Sequence, residues 1–310
     1  MKIAFMGTPD IAAGVLDALI KSTHEVVCVV TQPDKPNSRG NEIVFSPVKK
    51  LAIKNGIDVL QPVKASAEEF VETLSGYHPD IVVVVAFGQI LKKNVLEMAR
   101  FGCVNVHASL LPKYRGASPI QWAVINGEKE TGITIMKMDP GIDTGDIILQ
   151  EKILLDKEET AGSLFDRLTE LAGPVLLKAL TEIENGTAVF TPQDGDGATY
   201  VSMLKKSMGK LNFNHSAVEL ERLIRGLIPW PGAYTFVNGK MIKIWKAVVA
   251  SEEDEVKAAA GQIRIVDNAF FIGTENIPLQ ILELQLEGKK RMPASDFIRG
   301  TAIADGSFVE

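Results

Sequence analysis

The sequence predicts an α/β protein in which a doubly wound parallel sheet is followed by a smaller antiparallel β-barrel domain. In the first half of the chain, near-continuous apolar segments alternate with amphipathic helical segments, a pattern typical of strands buried on both faces of a parallel sheet. After residue 206 the pattern changes to short alternating runs, which indicate antiparallel strands. With 310 residues, of which 46% are hydrophobic, the chain is also longer than one core usually needs.

Five strands are predicted in the first domain, and they read KIAFMG, EVVCVVTQ, DVLQP, DIVVVVAF and CVNVHA. The helices between them are expected from Asp10 to about Ile20, after Ser46-Pro47 and near residues 66 to 75. A longer helix is expected from Thr160 to about Glu184, because apolar residues recur there at three- and four-residue spacing and Asn185-Gly186 follows. This helix should close the first domain, which we place at residues 1–188.

The remaining sequence is divided into a linker and a second domain. Residues 189–206 contain the Gly/Asp/Pro-rich segment TPQDGDGATY and are the expected linker. In residues 207–310, Ser216 and Glu219 form a capping box and Asn238-Gly239 is a strong hairpin signal. Several short antiparallel strands in about 100 residues predict a small OB-like barrel.

Composition and short motifs exclude several classes of protein. The net charge of −6 argues against a protein that coats nucleic acid, although basic and acidic residues nearly balance after residue 200. The two cysteines lie in apolar runs and the four histidines are scattered, so no metal site is expected. Neither G-x-G-x-x-G nor a P-loop motif occurs. The start, MKIAFMGTPD, lacks a targeting pattern, and we expect a cytoplasmic protein.

Two polar side chains at the end of the fifth predicted strand are candidates for catalysis. Asn105 and His107 are two positions apart and therefore share one face of the strand. An amide donor beside an imidazole suits a carbonyl oxygen that becomes an oxyanion, and the imidazole can also move a proton near neutral pH. A buried histidine bonded to a neighbouring asparagine for structural reasons is the alternative.

A second candidate element is the segment MDPGIDTGDIILQ, with Asp139, Asp143 and Asp146. Position six counted from Asp139 is Thr144 and position twelve is Gln150, which excludes an EF-hand calcium loop. A glycine-flanked aspartate can instead approach an imidazole and stabilise its cationic form. Asp and Gly also dominate ordinary turns, so the pattern alone leaves both interpretations open.

Several longer motifs resemble the methionyl-tRNA formyltransferases, a branch of the 10-formyltetrahydrofolate-dependent formyltransferase family. The matching segments are FMGTPD at 5–10, TQPDKPNSRG at 31–40, SPVK at 46–49, NVHASLLPKYRGASPIQWAVINGE at 105–128, ETGITIMKMDPGIDTGDII at 130–148 and IRGLIPWPGAY at 224–234. The resemblance extends over nearly the whole chain. It implies a Rossmann-like formyltransferase domain and a C-terminal tRNA-binding domain.

The resemblance also implies roles for individual residues. Asn105, His107 and Asp143 would be the catalytic residues. Contacts to the folate would come from Phe87, Gly88, Gln89, Ile90 and Leu91, and from Ser109, Leu110, Leu111 and Pro112. Contacts to tRNA would come from Lys35 and Arg39 in the loop from Pro33 to Pro47, and from Lys206 and Lys210.

The implied reaction transfers the formyl group of 10-formyltetrahydrofolate to the α-amino group of methionyl initiator tRNA, without a metal and without a covalent enzyme intermediate. The product would serve translation initiation, and we expect a monomer that binds no membrane. Two alternatives remain open at this point. The chain could formylate an amino sugar nucleotide, or it could be a catalytically silent protein that binds folate or RNA.

Overall fold

The structure is a computed structural model that describes residues 1–36, 43–251, 256–301 and 303–310, without the side chain of Lys35. Contacts within the chain divide it into two compact units. The first consists of residues 1–119, 130–154 and 165–201, and the second of residues 120–129, 155–164 and 202–310.

The first unit contains a mixed seven-stranded sheet and two small strand pairs. Its strands are β1 (Lys2–Gly7), β2 (Glu25–Val30), β3 (Lys35–Pro36), β4 (Ile43–Val44), β5 (Val59–Leu60), β6 (Ile81–Val85), β7 (Cys103–His107), β8 (Arg115–Gly116), β9 (Glu130–Lys137), β10 (Ile147–Leu154) and β11 (Tyr200–Val201). The large sheet has the order β10-β9-β7-β6-β1-β2-β5, while β11 pairs with β8 and β3 with β4.

The five strands predicted from the sequence form the parallel part of this sheet. β5, β2, β1, β6 and β7 run parallel, whereas β9 pairs antiparallel with β7, and β10 antiparallel with β9. All residues of β6 and β7 are buried, as expected for strands covered on both faces. In the edge strand β10 only Ile148 is buried, and Gln150 is followed by exposed positions. The prediction of a doubly wound sheet is therefore confirmed, with an antiparallel hairpin added at one edge.

Helices accompany this sheet, and four of them lie at the predicted positions. They are α1 (Asp10–Ile20), α2 (Pro47–Lys54), α3 (Glu68–Ser75), α4 (Lys93–Leu96), α5 (Pro119–Ile125) and α6 (Ala161–Glu184), of which α5 and α6 each contain a boundary between the units. α2 begins because Pro47 at its first position needs no N–H partner and the Ser46 hydroxyl accepts from the backbone N–H of Lys49.

The second unit is built on a six-stranded antiparallel sheet. Its elements are a 3₁₀ turn (Lys206–Gly209), α7 (Ala217–Gly226), β12 (Ala233–Val237), β13 (Lys240–Val249), β14 (Ile263–Val266), β15 (Ala269–Ile272), β16 (Leu279–Leu286), β17 (Met292–Pro293) and α8 (Ala294–Gly300). The sheet has the order β12-β13-β16-β15-β14, with β17 paired to β16.

Local sequence signals explain two features of this unit. Asn238 and Gly239 both have positive φ, 51° and 70°, and Val237 pairs with Lys240, which is the geometry of a type I′ hairpin turn. The predicted capping box is also present, since the Ser216 hydroxyl accepts from the Glu219 backbone and the Glu219 carboxylate accepts from Ser216.

The last residues of the chain connect the two edge strands of the second sheet. The backbone N–H of Ile263 in β14 donates to Ser307 (2.7 Å), and the N–H of Glu310 donates to the carbonyl of Phe236 in β12 (2.9 Å). Because both edges find backbone partners in residues 307–310, the sheet closes on itself, as in the predicted barrel. None of the helices in the described part of the chain combines the length and apolar composition that a bilayer crossing requires.

Both cysteines are free and buried, and burial raises the pKa of each thiol to about 12, with the Asp58 carboxylate adding to the effect at Cys28. We expect the folded protein to show no fast-reacting thiol toward a chromogenic disulfide at pH 8, because only about 10⁻⁴ of each thiol is ionised. Two thiols should react in denaturant. The exposed variant Ser75→Cys supplies the control and should add one fast thiol to the folded protein.

The raised pKa values of the two thiols predict that the folded protein loses stability in alkali. Because the pKa of each thiol in the folded protein lies above its ordinary value, the contribution of each thiol to the free energy of unfolding is complete below about pH 9. It is lost between about pH 9 and pH 12. Rapid labelling of the folded wild type at pH 8 would contradict this account of both cysteines.

Candidate active site

The candidate site lies where the order of the parallel strands reverses. From β1 the chain proceeds to β2 and β5 on one side of the sheet, and to β6 and β7 on the other. A crevice opens outside the carboxyl ends of the strands at such a switch point, and it is where open α/β sheets bind ligands. Thr8 follows β1 and Phe87 follows β6, so the loops beside these residues border the crevice.

Asn105 and His107 lie at the carboxyl end of β7, next to β6. Asn105 pairs with Val84 of β6 and with Met136 of β9, and His107 pairs with Thr134. Only 9% of Asn105 and 6% of His107 is exposed. Both polar groups are therefore largely removed from water, and their orientation is decided by a few specific partners.

The protonation geometry of His107 follows from a backbone partner. Its Nε2 lies 2.9 Å from the carbonyl oxygen of Tyr114. A carbonyl can only accept, so Nε2 carries a hydrogen and donates it. Nδ1 is then the nitrogen that gains or loses the mobile proton, and it points toward Asp143, whose Oδ2 is 3.7 Å away.

Asp143 connects the two predicted catalytic side chains. Its Oδ1 accepts from the Asn105 amide at 3.4 Å, and its Oδ2 accepts from the backbone N–H of Gly116 at 2.8 Å. The separation from His107 Nδ1 is longer than a hydrogen bond but short enough for an imidazolium and a carboxylate to attract each other. The structure thus brings Asn105, His107 and Asp143 together.

The other two aspartates of the segment have different surroundings. The Asp139 carboxylate accepts from the backbone N–H of Gly141 (3.0 Å) and from the Thr144 hydroxyl (2.7 Å), so it folds its own turn. The backbone carbonyl of Asp146 accepts from Lys137 at the end of β9. Gly145 lies so close to the Lys137 carbonyl that a Cβ atom there would overlap it. The segment is therefore a tightly folded connection between β9 and β10.

Four groups at the site had no distinct signal in the sequence. The Tyr114 carbonyl and the Gly116 N–H belong to the backbone, which residue types do not reveal. Arg115 is 5% exposed and donates to the side chains of Gln193 and Tyr200. Gln193 lies in the segment predicted as a linker and was not a candidate.

The predicted folate-contacting loop after β6 is held by its own network. The Phe87 side chain is buried, and its carbonyl accepts from Gln32 Nε2 at 3.0 Å. Gln89 accepts from the backbone of Ala65 and donates to Pro62. Leu91 is buried, whereas Ile90 is 81% exposed and Gly88 has φ +82°. The loop thus presents an apolar side chain and open backbone beside the crevice.

The second predicted folate segment, Ser109 to Pro112, follows β7. Ser109 is fully buried, and its hydroxyl donates to the carbonyl of Lys113 at 2.7 Å. Leu111 is buried and contributes backbone groups, its N–H donating to Thr134 and its carbonyl accepting from Gln150. The side chain of Leu110 and the ring of Pro112 are partly exposed.

The predicted tRNA-contacting residues are distributed over both units. Arg39 lies outside the described residues, and so does the side chain of Lys35. Lys206 and Lys210 belong to the second unit and are exposed, and the Lys210 ammonium lies 5.5 Å from the centre of the Phe236 ring. Among the described residues, no group of three or more His, Cys, Asp or Glu side chains could hold a metal ion.

The chain is similar to known protein families and to individual proteins over nearly its whole length. Two families match, Formyl transferase over residues 1–180 and Formyl transferase, C-terminal domain, over residues 203–302. Methionyl-tRNA formyltransferase of Lachnospira eligens is 54% identical over 99% of this chain and 98% of its own length. The protein of the same name from Agathobacter rectalis is 49% identical over 99% of both chains.

Solved structures share the fold at lower identity. An N-formyltransferase from Helicobacter canadensis, solved with folinic acid and dTDP-3-aminofucose, is 22% identical with a TM-score of 0.65, covering 91% of this chain and 98% of the other. HypX from Aquifex aeolicus in complex with tetrahydrofolic acid is 17% identical with a TM-score of 0.63 over 96% of this chain. The chain spans about half the length of HypX, since it covers 47% of it.

Proposed function

The chain belongs to the formyl transferase family, and from this premise we propose that it transfers the formyl group of 10-formyltetrahydrofolate to the α-amino group of methionyl initiator tRNA. The relatives named methionyl-tRNA formyltransferase support this substrate, because they are 49% to 54% identical over nearly the full chain. The single structural observation that carries the chemistry is the convergence of Asn105, His107 and Asp143 at the end of β7.

The crevice suits a folate as formyl donor. The exposed side chain of Ile90 and the open backbone at Gly88 offer an apolar edge and hydrogen-bonding groups to a flat heterocycle. The Phe87–Leu91 loop lies at the switch point and Ser109–Pro112 directly follows His107, so a ligand between these loops would place its reactive end near the catalytic residues. When bound, the folate supplies the formyl group on a nitrogen leaving group.

The acceptor amine needs no strong base before it attacks. Its reference pKa is about 7.7 to 8.0, so a useful fraction is neutral at pH 7. The α-amino nitrogen forms a bond to the formyl carbon, the bond from that carbon to N10 of the folate breaks, and the proton that the amine loses ends on N10. Negative charge develops on the formyl oxygen during this exchange.

Each of the three residues has a distinct task in this proposal. Asn105 directs one N–H toward Asp143, and its second N–H donates to the developing oxyanion. His107, with its Nε2–H fixed by Tyr114, presents Nδ1 to the reacting groups and stabilises the oxyanion as a cation. Asp143 sustains that positive charge and assists proton transfer through water.

The second unit is the proposed tRNA-binding part of the protein. We assign residues 1–188 to catalysis, 189–206 to the linker and 207–310 to tRNA binding, with Lys206 and Lys210 facing phosphates. Exposed ammonium groups suit this task, since phosphate neutralisation dominates affinity for nucleic acids. In the loop 33–47, Lys35 and Arg39 are the proposed contacts. The proposal includes a monomer in the cytoplasm, where charged tRNA is available.

Consumption of 10-formyltetrahydrofolate with four separate acceptors tests the function. The acceptors are charged initiator methionyl-tRNA, charged elongator methionyl-tRNA, an amino sugar nucleotide and glycinamide ribonucleotide. Turnover is expected with initiator methionyl-tRNA alone. Turnover with the sugar alone would establish the alternative that the Helicobacter canadensis structure represents, and no turnover with any acceptor would favour a catalytically silent binding protein.

A further inference from the structure

We propose that Gln193 is a positioning residue that holds Asp143 in its reactive place, an inference that rests on the proposed function. Gln193 belongs to the irregular segment after α6. Its Nε2 donates to the carbonyl oxygen of Asp143 at 2.9 Å and to that of Gly145 at 2.7 Å. Both hydrogens of one side-chain amide are thus used to hold the backbone of the β9–β10 connection.

Asp143 requires such support because of its backbone conformation. Its φ of 52° lies in the left-handed region. A residue other than glycine is uncommon in this region, and it stays there where the surrounding contacts hold it. Asp139 fixes the preceding part of the turn through Gly141 and Thr144. Gln193 fixes the carbonyl of Asp143 itself, and so acts on the residue that meets His107.

Gln193 is in turn held in one orientation by Arg115. The guanidinium donates to Oε1 through Nε (3.0 Å) and Nη2 (2.8 Å), and its Nη1 donates to the Tyr200 hydroxyl at 3.1 Å. A guanidinium only donates, so the oxygen end of the amide must face Arg115 and the NH₂ end must face the loop. The buried Arg115 therefore fixes which end of the Gln193 amide faces the Asp143 loop.

A small displacement of Asp143 would disturb the reaction geometry. Its carboxylate contacts Gly116 at 2.8 Å, Asn105 at 3.4 Å and His107 at 3.7 Å. A misplacement of about 1 Å in a catalytic site can lower the rate about 10²-fold. Gln193 has no hydrogen bond to Asn105 or His107 among its described contacts, so we expect its effect on the reaction to pass through Asp143.

The variant Gln193→Glu separates the bonds that Gln193 accepts from Arg115 from the bonds that it donates to the Asp143 loop. It keeps the size of the side chain and an oxygen for Arg115, but it loses both donors and places a negative charge beside two carbonyls. We expect kcat to fall about 10- to 100-fold, while KM for both substrates changes less than about 3-fold. Gln193→Ala should lower kcat in the same direction. If accepting from Arg115 were the whole role, Gln193→Glu would keep wild-type kcat, and the proposal would be overturned.

A matched control is Asn94→Ala. The Asn94 amide donates to the backbone carbonyl of Ser66 at 3.2 Å, a single bond of the same type elsewhere in the first unit. We expect this variant to retain kcat within about 2-fold, since it leaves the Asp143 loop untouched. An equal loss of kcat in this variant would show that any lost amide bond impairs the enzyme and would overturn the assignment to Gln193.

A double-mutant cycle with Asp143→Asn tests whether Gln193 acts through Asp143. Asparagine also tolerates left-handed φ, so the loop is retained. In the Asp143→Asn background, Gln193→Glu should lower single-turnover rates by less than about 3-fold. Multiplied losses would show an independent structural role and overturn the proposal. Inactivity of the wild type with methionyl-tRNA would contradict the proposed function instead, which keeps the two failures distinguishable.

Discussion

Replacing Asn105 by alanine is expected to lower kcat by about 10²- to 10³-fold, the usual cost of removing one donor to an oxyanion. The Asn105 amide is nearly buried beside His107. A water molecule therefore does not readily take over the hydrogen bond that its second N–H donates to the oxyanion. Because the negative charge exists only in the transition state, KM for the folate and for tRNA should change little. Single-turnover formylation of methionyl-tRNA measures the effect.

Two further variants make this expectation specific. Asn105→Asp keeps the shape but removes both donors and adds a carboxylate next to Asp143, so its loss should be at least as large as that of alanine. Asn55→Ala removes an exposed amide that donates to Leu51 within α2 and should leave kcat unchanged. Wild-type turnover by Asn105→Ala would remove Asn105 from the catalytic residues.

The sequence predicted those parts of the fold that depend on local pattern. Continuous apolar runs such as IVVVV identified the central strands, because a strand covered on both faces has no exposed positions. Asn238-Gly239 predicted its hairpin, because both residues tolerate the positive φ that a type I′ turn requires. The period of a strand placed Asn105 and His107 on one face, and in the structure the Asp143 carboxylate lies 3.4 Å from the Asn105 amide and 3.7 Å from His107 Nδ1.

Features that depend on contacts distant in sequence could not be predicted in this way. β9 and β10 were not assigned as strands, although their hairpin carries Asp143 to the end of β7. The segment TPQDGDGATY has the composition of a linker, yet Thr191 pairs with Ile147 and Gln193 bonds to the Asp143 loop. Gly, Asp and Pro indicate a lack of regular structure there, and they carry no information about which side chains bind across the fold.

Replacing Asp143 by asparagine is expected to lower kcat about 10²- to 10³-fold, with KM nearly unchanged. The variant keeps the shape but loses the negative charge 3.7 Å from His107 Nδ1. It also has one oxygen where the wild type uses two, so either the Gly116 N–H or the Asn105 amide must face an NH₂ group. Both changes weaken the stabilisation of charge that exists only in the transition state.

The loss should stay below that seen where a carboxylate also selects the histidine tautomer, which is about 10⁴-fold. Here the Tyr114 carbonyl makes that selection through Nε2, and it does not depend on Asp143. The size of the effect therefore distinguishes the two arrangements. A loss of about 10⁴-fold or more would mean that Asp143 controls the tautomer and that the Tyr114 bond does not.

Asp139→Asn is the matched control for this prediction. It removes the same charge four residues earlier, and its remaining oxygen can still accept from Gly141 while the new amide meets the Thr144 hydroxyl. The turn should keep its fold, and kcat should fall less than about 3-fold. Equal losses in the two variants would attribute the effect to the charge or stability of the whole loop. A loss confined to Asp143→Asn would assign it to the carboxylate that meets His107.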